Sequence, residues 1–255
     1  MINVELFINV FTIIGIYYYL KNYSQLKRET IRLTIIFVCV ILVYINDWIW
    51  KLLIYDIDAD LKSILINILS TLKNILLGSI GIYFLGELNL LKIPLLNTSN
   101  TINIKKSKIV LSDSLIIVII FIAITILLLF LNTSNIFNEK IDFRLSTIID
   151  SITRAGIISI NEEVYFRLFL LSLFMYWMSK VQYSKIISIF LVSTIWVFTH
   201  HGIVESGGFK FIQLFLFGCI LGWTQIKKGI ETCFLSHWMF NIIAYSVLGN
   251  FKIID

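Results

Sequence analysis

Glu162, Glu163 and Arg167 stand inside an otherwise apolar stretch that reads NEEVYFRLFLLSLFMYW over residues 161–177. An ionised carboxylate at bilayer depth costs about 3 kcal/mol even on lenient scales. Two adjacent carboxylates also repel each other. Such a cluster persists where its charges pair or face an internal cavity, which points to a functional site buried between helices. Two further apolar stretches carry polar groups at helical spacing. One reads WVFTHH and supplies Trp196, His200 and His201; the other reads HWMFN and supplies His237 and Asn241. All three histidines of the chain fall in or beside these stretches.

Spacing assigns different work to the two glutamates. Glu163 and Arg167 are four residues apart on one helical face, so they form an ion pair that fixes helix register and helps shape the site. Glu162 points about 100° away around the helix. It has no partner on its own helix and is free to act as a general base. His237 and Asn241, also four apart, converge on one point. For Glu162 the competing role is an ion pair with Lys73 or Arg154; for a single membrane histidine it is an interhelical hydrogen bond.

These groups need a scaffold, and composition supplies one. Of 255 residues, 58% are hydrophobic and 15% charged, with one proline, against about 25% charged in a soluble domain. The surplus apolar surface must face lipid, and its continuous runs specify helices over an alternating β-barrel. The expected fold is an all-α polytopic membrane protein with about eight transmembrane helices, each needing about 20 residues. Candidate spans are 2–20, 33–53, 64–86, 114–131, a fifth that starts near 160 and ends near Trp177, then 186–201, 209–226 and 232–248. The segment 143–160 is amphipathic and is expected at the interface, leading into the fifth span. Lys73 either snorkels or faces the bundle. Ser114–Leu131 is nearly pure aliphatic and reads as lipid-facing packing. Gly218 and Gly222 form a small-xxx-small contact for close helix approach.

The loops order the spans. Loops 21–32, 87–113, 179–185 and 227–230 are basic, whereas 54–62, 132–142 and 202–208 are acidic or near neutral. Alternation of this kind obeys the positive-inside rule and puts both termini outside. The net charge of +5 therefore reports topology and calls for no nucleic acid. Loop 87–113, with Pro94 and Lys105, Lys106 and Lys108, divides an N-terminal helical region (1–113) from a C-terminal core (114–255). The same topology sets Glu162 and His200 toward the outer half of the membrane and His237 toward the inner half. Cys39, Cys219 and Cys233 lie in apolar runs without CxxC spacing and read as buried thiols.

The sequence resembles the CAAX protease and bacteriocin-processing family of intramembrane proteases. That family carries EExxxR, FxxxH and HxxxN on separate membrane helices. Here these are Glu162-Glu163-x-x-x-Arg167, Trp196-x-x-x-His200 and His237-x-x-x-Asn241. Trp196 replaces the usual Phe and keeps its packing role; Leu168 stands where a small residue is common; the family spacing selects His200 over His201. The resemblance implies a multi-pass protein of the bacterial plasma membrane that cuts a membrane-associated peptide or lipidated protein. It implies that Glu162 and His200 activate a water and that His237 and Asn241 stabilise the oxyanion, with Glu163 and Arg167 in support. No cofactor is certain. A zinc ion held by Glu162, His200 and His237 is the one candidate, ranked behind a metal-free route because HExxH is absent. Two other function classes fit the same residues: a non-catalytic membrane immunity or regulatory protein that keeps the motif structurally, and a proton-coupled transporter.

Overall fold

A computed structural model describes residues 61–91, 104–131, 145–200 and 208–247. The first two expected spans, both termini and His201 lie outside the described residues. Every regular element among the described residues is helical: α1 (Leu61–Glu87), α2 (Ile104–Leu131), α3 (Leu145–Glu162), a π-helical segment (Glu163–Leu171), α4 (Ser172–Trp177), α5 (Ser184–Phe198), α6 (Gly208–Lys228) and α7 (Ile230–Val247). The expected spans three to eight each coincide with a helix. By length and composition, one window among the described residues, Lys106–Leu128 in α2, is long and apolar enough to cross a membrane; its mean hydropathy is 2.8.

Two boundaries differ from the sequence reading. α2 begins at Ile104, so Lys105, Lys106 and Lys108 belong to its first turns and not to a loop. The segment from 145 leads into the fifth expected span without a break: α3, the π-helical segment and α4 form one helical run, Leu145–Trp177, with right-handed helical torsions at both junctions, so that helix starts well before residue 160. Polar residues such as Arg154 lower hydropathy without interrupting backbone hydrogen bonding, and that is how a hydropathy window misplaces a helix start.

Close packing holds the bundle together, since lipid gives helices no hydrophobic reason to associate. Gly81 of α1 lies against the π-helical backbone; a Cβ there would sit 2.2 Å from the Leu168 carbonyl oxygen. The expected glycine contact is present on α6, where Cβ atoms at Gly218 and Gly222 would come within 2.9 Å of Ser193 and 3.3 Å of Ile189 on α5. Gly229 alone separates α6 from α7. Its φ of 101° lies in the left-handed region that other residues avoid, and its N–H bonds the carbonyls of Thr224 and Gln225. The two helices thus reverse through one residue, and α7 returns beside α6, α2 and α3. The core runs through Leu77, Ile80 and Phe84 of α1, Phe166–Leu171 of the π-helical segment, Trp196 of α5 and Leu221 of α6.

Candidate active site

Glu162 is the last residue of α3 and Glu163 the first of the π-helical segment. A π turn closes i→i+5 and is a frequent companion of functional sites. The wider turn needs help with its carbonyls, which Ser172 gives: its hydroxyl lies 2.5 Å from the Leu168 carbonyl oxygen and 2.8 Å from that of Phe169. All nine residues of the segment are buried.

His200 is oriented by the end of α5. The last carbonyls of a helix lack intrahelical donors. That of Trp196 is met by the Thr199 hydroxyl at 2.6 Å and by His200 Nδ1 at 2.8 Å. A carbonyl only accepts, so Nδ1 carries the proton and Nε2 is turned toward Glu162 Oε1, 3.6 Å away. His237, in the middle of α7, is oriented the same way by a different group. Its Nδ1 lies 2.7 Å from Glu163 Oε1, and its Nε2 points at Glu162 Oε2, 4.0 Å away. Both imidazoles are thus anchored through Nδ1 and present Nε2 to one carboxylate. Glu162 and His200 keep 18% of their side-chain surface exposed, whereas Glu163 and Arg167 keep 1%.

Glu163 and Arg167 do lie on one face, at 3.7 Å, but that is beyond hydrogen-bond reach. The nearer partners of Glu163 are His237 and the Cys233 thiol, which donates to Oε2 at 2.7 Å. Arg167 rests on the Trp196 ring, its guanidinium carbon 4.3 Å from the centroid. Among the described residues, neither of its terminal nitrogens has a hydrogen-bond partner, so a cation–π contact and the carboxylate hold the charge. The pair therefore shapes the site more directly than a register-fixing ion pair would.

The structure brings Glu162, Glu163, Arg167, His200 and His237 into one network. The expected separation of His237 from Glu162 across the bilayer does not occur, because Glu162 lies at the middle of the run Leu145–Trp177 and not near its start. Asn241 sits one turn beyond His237 and lies 3.2 Å from the Ser159 hydroxyl of α3 through its Nδ2. Glu162, His200 and His237 do not form a metal-ligand set. Oε1 faces one imidazole, while Oε2 faces the other and takes a hydrogen bond from Trp196 Nε1 at 2.6 Å. Among the described residues, no group of three His, Cys, Asp or Glu side chains is disposed to hold a metal ion.

Sequence reasoning missed three contributors. Trp196 was expected only to pack, yet it donates to Glu162. Cys233 was a bland buried thiol, although it lies four residues before His237 on the same face of α7, a spacing that could have flagged it. Ser159 precedes Glu162 by three residues and could have been flagged in the same way.

Residues 144–243 match the family described as type II CAAX prenyl endopeptidase Rce1-like. The match covers all three motifs. A curated relative, the sporulation-killing factor biosynthesis protein SkfC of Bacillus subtilis (strain 168), is 32% identical over 97 residues, which is 37% of this chain and 19% of that protein. The chain thus aligns with about a fifth of the relative's length. No solved structure matches significantly.

Proposed function

We propose, from the premise that residues 144–243 belong to the type II CAAX prenyl endopeptidase Rce1-like family, that this protein is an intramembrane endopeptidase acting without a metal. The observation that carries the reading is one carboxylate, Glu162, faced by two imidazole Nε2 atoms in the middle of a helical bundle. Residues 114–255 would form the catalytic core of an eight-span membrane protein. The substrate class is a membrane-associated peptide or lipidated protein. The name of the Bacillus subtilis relative, a biosynthesis protein for a killing factor, supports maturation of a peptide precursor.

In this mechanism a water sits about 2.8 Å from both Glu162 Oε1 and His200 Nε2, at ordinary hydrogen-bond length. Both groups accept from it, so both O–H bonds are polarised and its oxygen turns outward toward the scissile carbonyl. Glu162 takes the proton as the water oxygen bonds to the carbonyl carbon, and passes it to the departing amine as the C–N bond breaks. The oxyanion formed between these steps needs donors. Asn241 has a second Nδ2 hydrogen beyond the one directed at Ser159. His237 can donate only as the imidazolium, since its Nδ1 proton is committed to Glu163. A well-placed donor of this kind lowers the barrier by about 3 kcal/mol.

The test uses the purified full chain in detergent micelles and internally quenched peptides with and without an S-farnesylcysteine. Glu162→Ala and His200→Ala are each expected to cut hydrolysis about a thousandfold while leaving helix content unchanged. A divalent-metal chelator should leave the wild-type rate unaltered. Hydrolysis that survives both substitutions would defeat the reading, and loss of activity on chelation would defeat its metal-free form.

A further inference from the structure

Trp196 touches each charged or titratable group that the proposed reaction uses around Glu162. Its indole N–H lies 2.6 Å from Glu162 Oε2, its carbonyl accepts from His200 Nδ1, its face carries the Arg167 guanidinium, and its ring lies edge-on to the rings of His200 and His237 at 5.1 and 5.9 Å between centroids. It is 3% exposed. The motif this chain resembles has Phe at this place. A phenyl ring could supply the packing and the edge contacts, but it has no N–H. The additional group is therefore specific to the tryptophan found here, and it is spent on the carboxylate at the centre of the site.

We infer that Trp196 is a positioning residue that distinguishes the two oxygens of Glu162, holding Oε2 in place and leaving Oε1, beside His200 Nε2, as the oxygen that takes the proton from water. This rests on the proteolytic reading. A glutamate has three rotatable side-chain bonds, so the direction of its carboxylate is set by what it bonds. An N–H bond to an ionised acceptor is among the stronger hydrogen bonds in proteins, and it locks the rotamer that faces His200. The supports are themselves fixed. Gly218 lets α6 approach within 3.1 Å of the indole ring, measured from where its Cβ would lie, so the ring cannot slide along α5.

Two measurements test the inference in the full chain in micelles. The first is the indole ¹H–¹⁵N signal of Trp196, assigned by its loss in Trp196→Phe. The hydrogen bond places it downfield of an exposed indole, and Glu162→Ala should return it upfield. This reading does not depend on finding a substrate. The second is hydrolysis of the quenched peptides. Trp196→Phe is expected to lower kcat about tenfold with KM nearly unchanged, as loss of one charge-assisted hydrogen bond implies. Benzothienylalanine at 196, which keeps the bicyclic shape and lacks the N–H, should reproduce that loss even if the phenylalanine variant folds poorly. A signal that ignores Glu162→Ala overturns the inference whatever the kinetics. So does an unshifted kcat in the benzothienyl variant. A wild type that cleaves none of the peptides, with the signal shifted as expected, would instead overturn the proteolytic reading and leave the contact standing.

Discussion

Helix α2 and the run Leu145–Trp177 are of similar length and are built on opposite rules. α2 carries its apolar residues outward: Ile116, Ile119, Ile126 and Leu127 are each more than half exposed, and only 28% of its most apolar window is buried. The longer run turns the charges of its π-helical segment inward, while Arg154 on its α3 part stays exposed. Glu163 and Arg167 are almost wholly enclosed, while the exposed side of its α3 part includes Ile152. In water so apolar an outer face beside two enclosed charges would be unfavourable. In lipid it is the stable arrangement, since an aliphatic side chain costs nothing at the surface and an ionised one must find partners inside. The lesson is that hydropathy locates the helices here, whereas the polar residues tell which way each one faces.

The most damaging way to break that contrast is to remove the charge that its interior is built to hold. Glu163→Gln keeps the size of the side chain but leaves Arg167 a buried cation without its carboxylate, and exchanges one of the oxygens that hold His237 and Cys233 for an amide nitrogen. Breaking one side of a buried pair costs about 3–5 kcal/mol. The expected result is a large fall in unfolding midpoint in a fixed detergent, together with slower peptide hydrolysis. Were the variant as stable as wild type, the enclosed network would be ornament and the reading of the long run would be wrong.

The sequence made the polar groups legible because a charge inside an apolar run has few explanations. The 100° offset between Glu162 and Glu163 gives them different nearest groups, Trp196 for Glu162 and Cys233 for Glu163, with His237 reaching both. The four-residue spacing of His237 and Asn241 put both on one side of α7, although Asn241 meets Ser159 there. What stayed hidden is contextual. No residue pattern announces the π turn at Glu163–Leu171, where α1 comes close at Gly81 and the Ser172 hydroxyl meets two carbonyls. The midpoint position of Glu162 was hidden because Arg154 and its neighbours look like an interface to a hydropathy window. The extra bond from Trp196 was visible only as an unusual residue type in a motif, with nothing in the sequence to say where its N–H would point.

Gly81→Ala sharpens the comparison from the other side, by disturbing the backbone and leaving every charge in place. The added Cβ would meet the Leu168 carbonyl oxygen at 2.2 Å and its carbon at 2.5 Å, and a carbonyl in a helix cannot swing aside. α1 must retreat from the π-helical segment, at about 1–3 kcal/mol, as for overpacked cores. Because Arg167 and Glu163 are on that segment, thermal stability and hydrolysis should fall together. A variant that lost stability alone would separate the π turn from the site.

The smallest effect should come from the outward face of α2. Ile119 is 64% exposed, so Ile119→Ala removes methylenes that touch solvating lipid or detergent and opens no internal cavity. Its expected effect lies within about 0.5 kcal/mol, with hydrolysis unchanged. The position has a built-in contrast two residues on: Phe121 of the same helix is fully buried, stacked on Phe217 at 4.1 Å and edge-on to Phe240 at 5.4 Å. One side of α2 therefore belongs to the bundle and the other to its surroundings. If Ile119→Ala instead destabilised the protein by an amount typical of a core position, about 2 kcal/mol or more, that outward face would have to be covered by protein. The rule that divides α2 from the long helical run would then fail where it looks simplest.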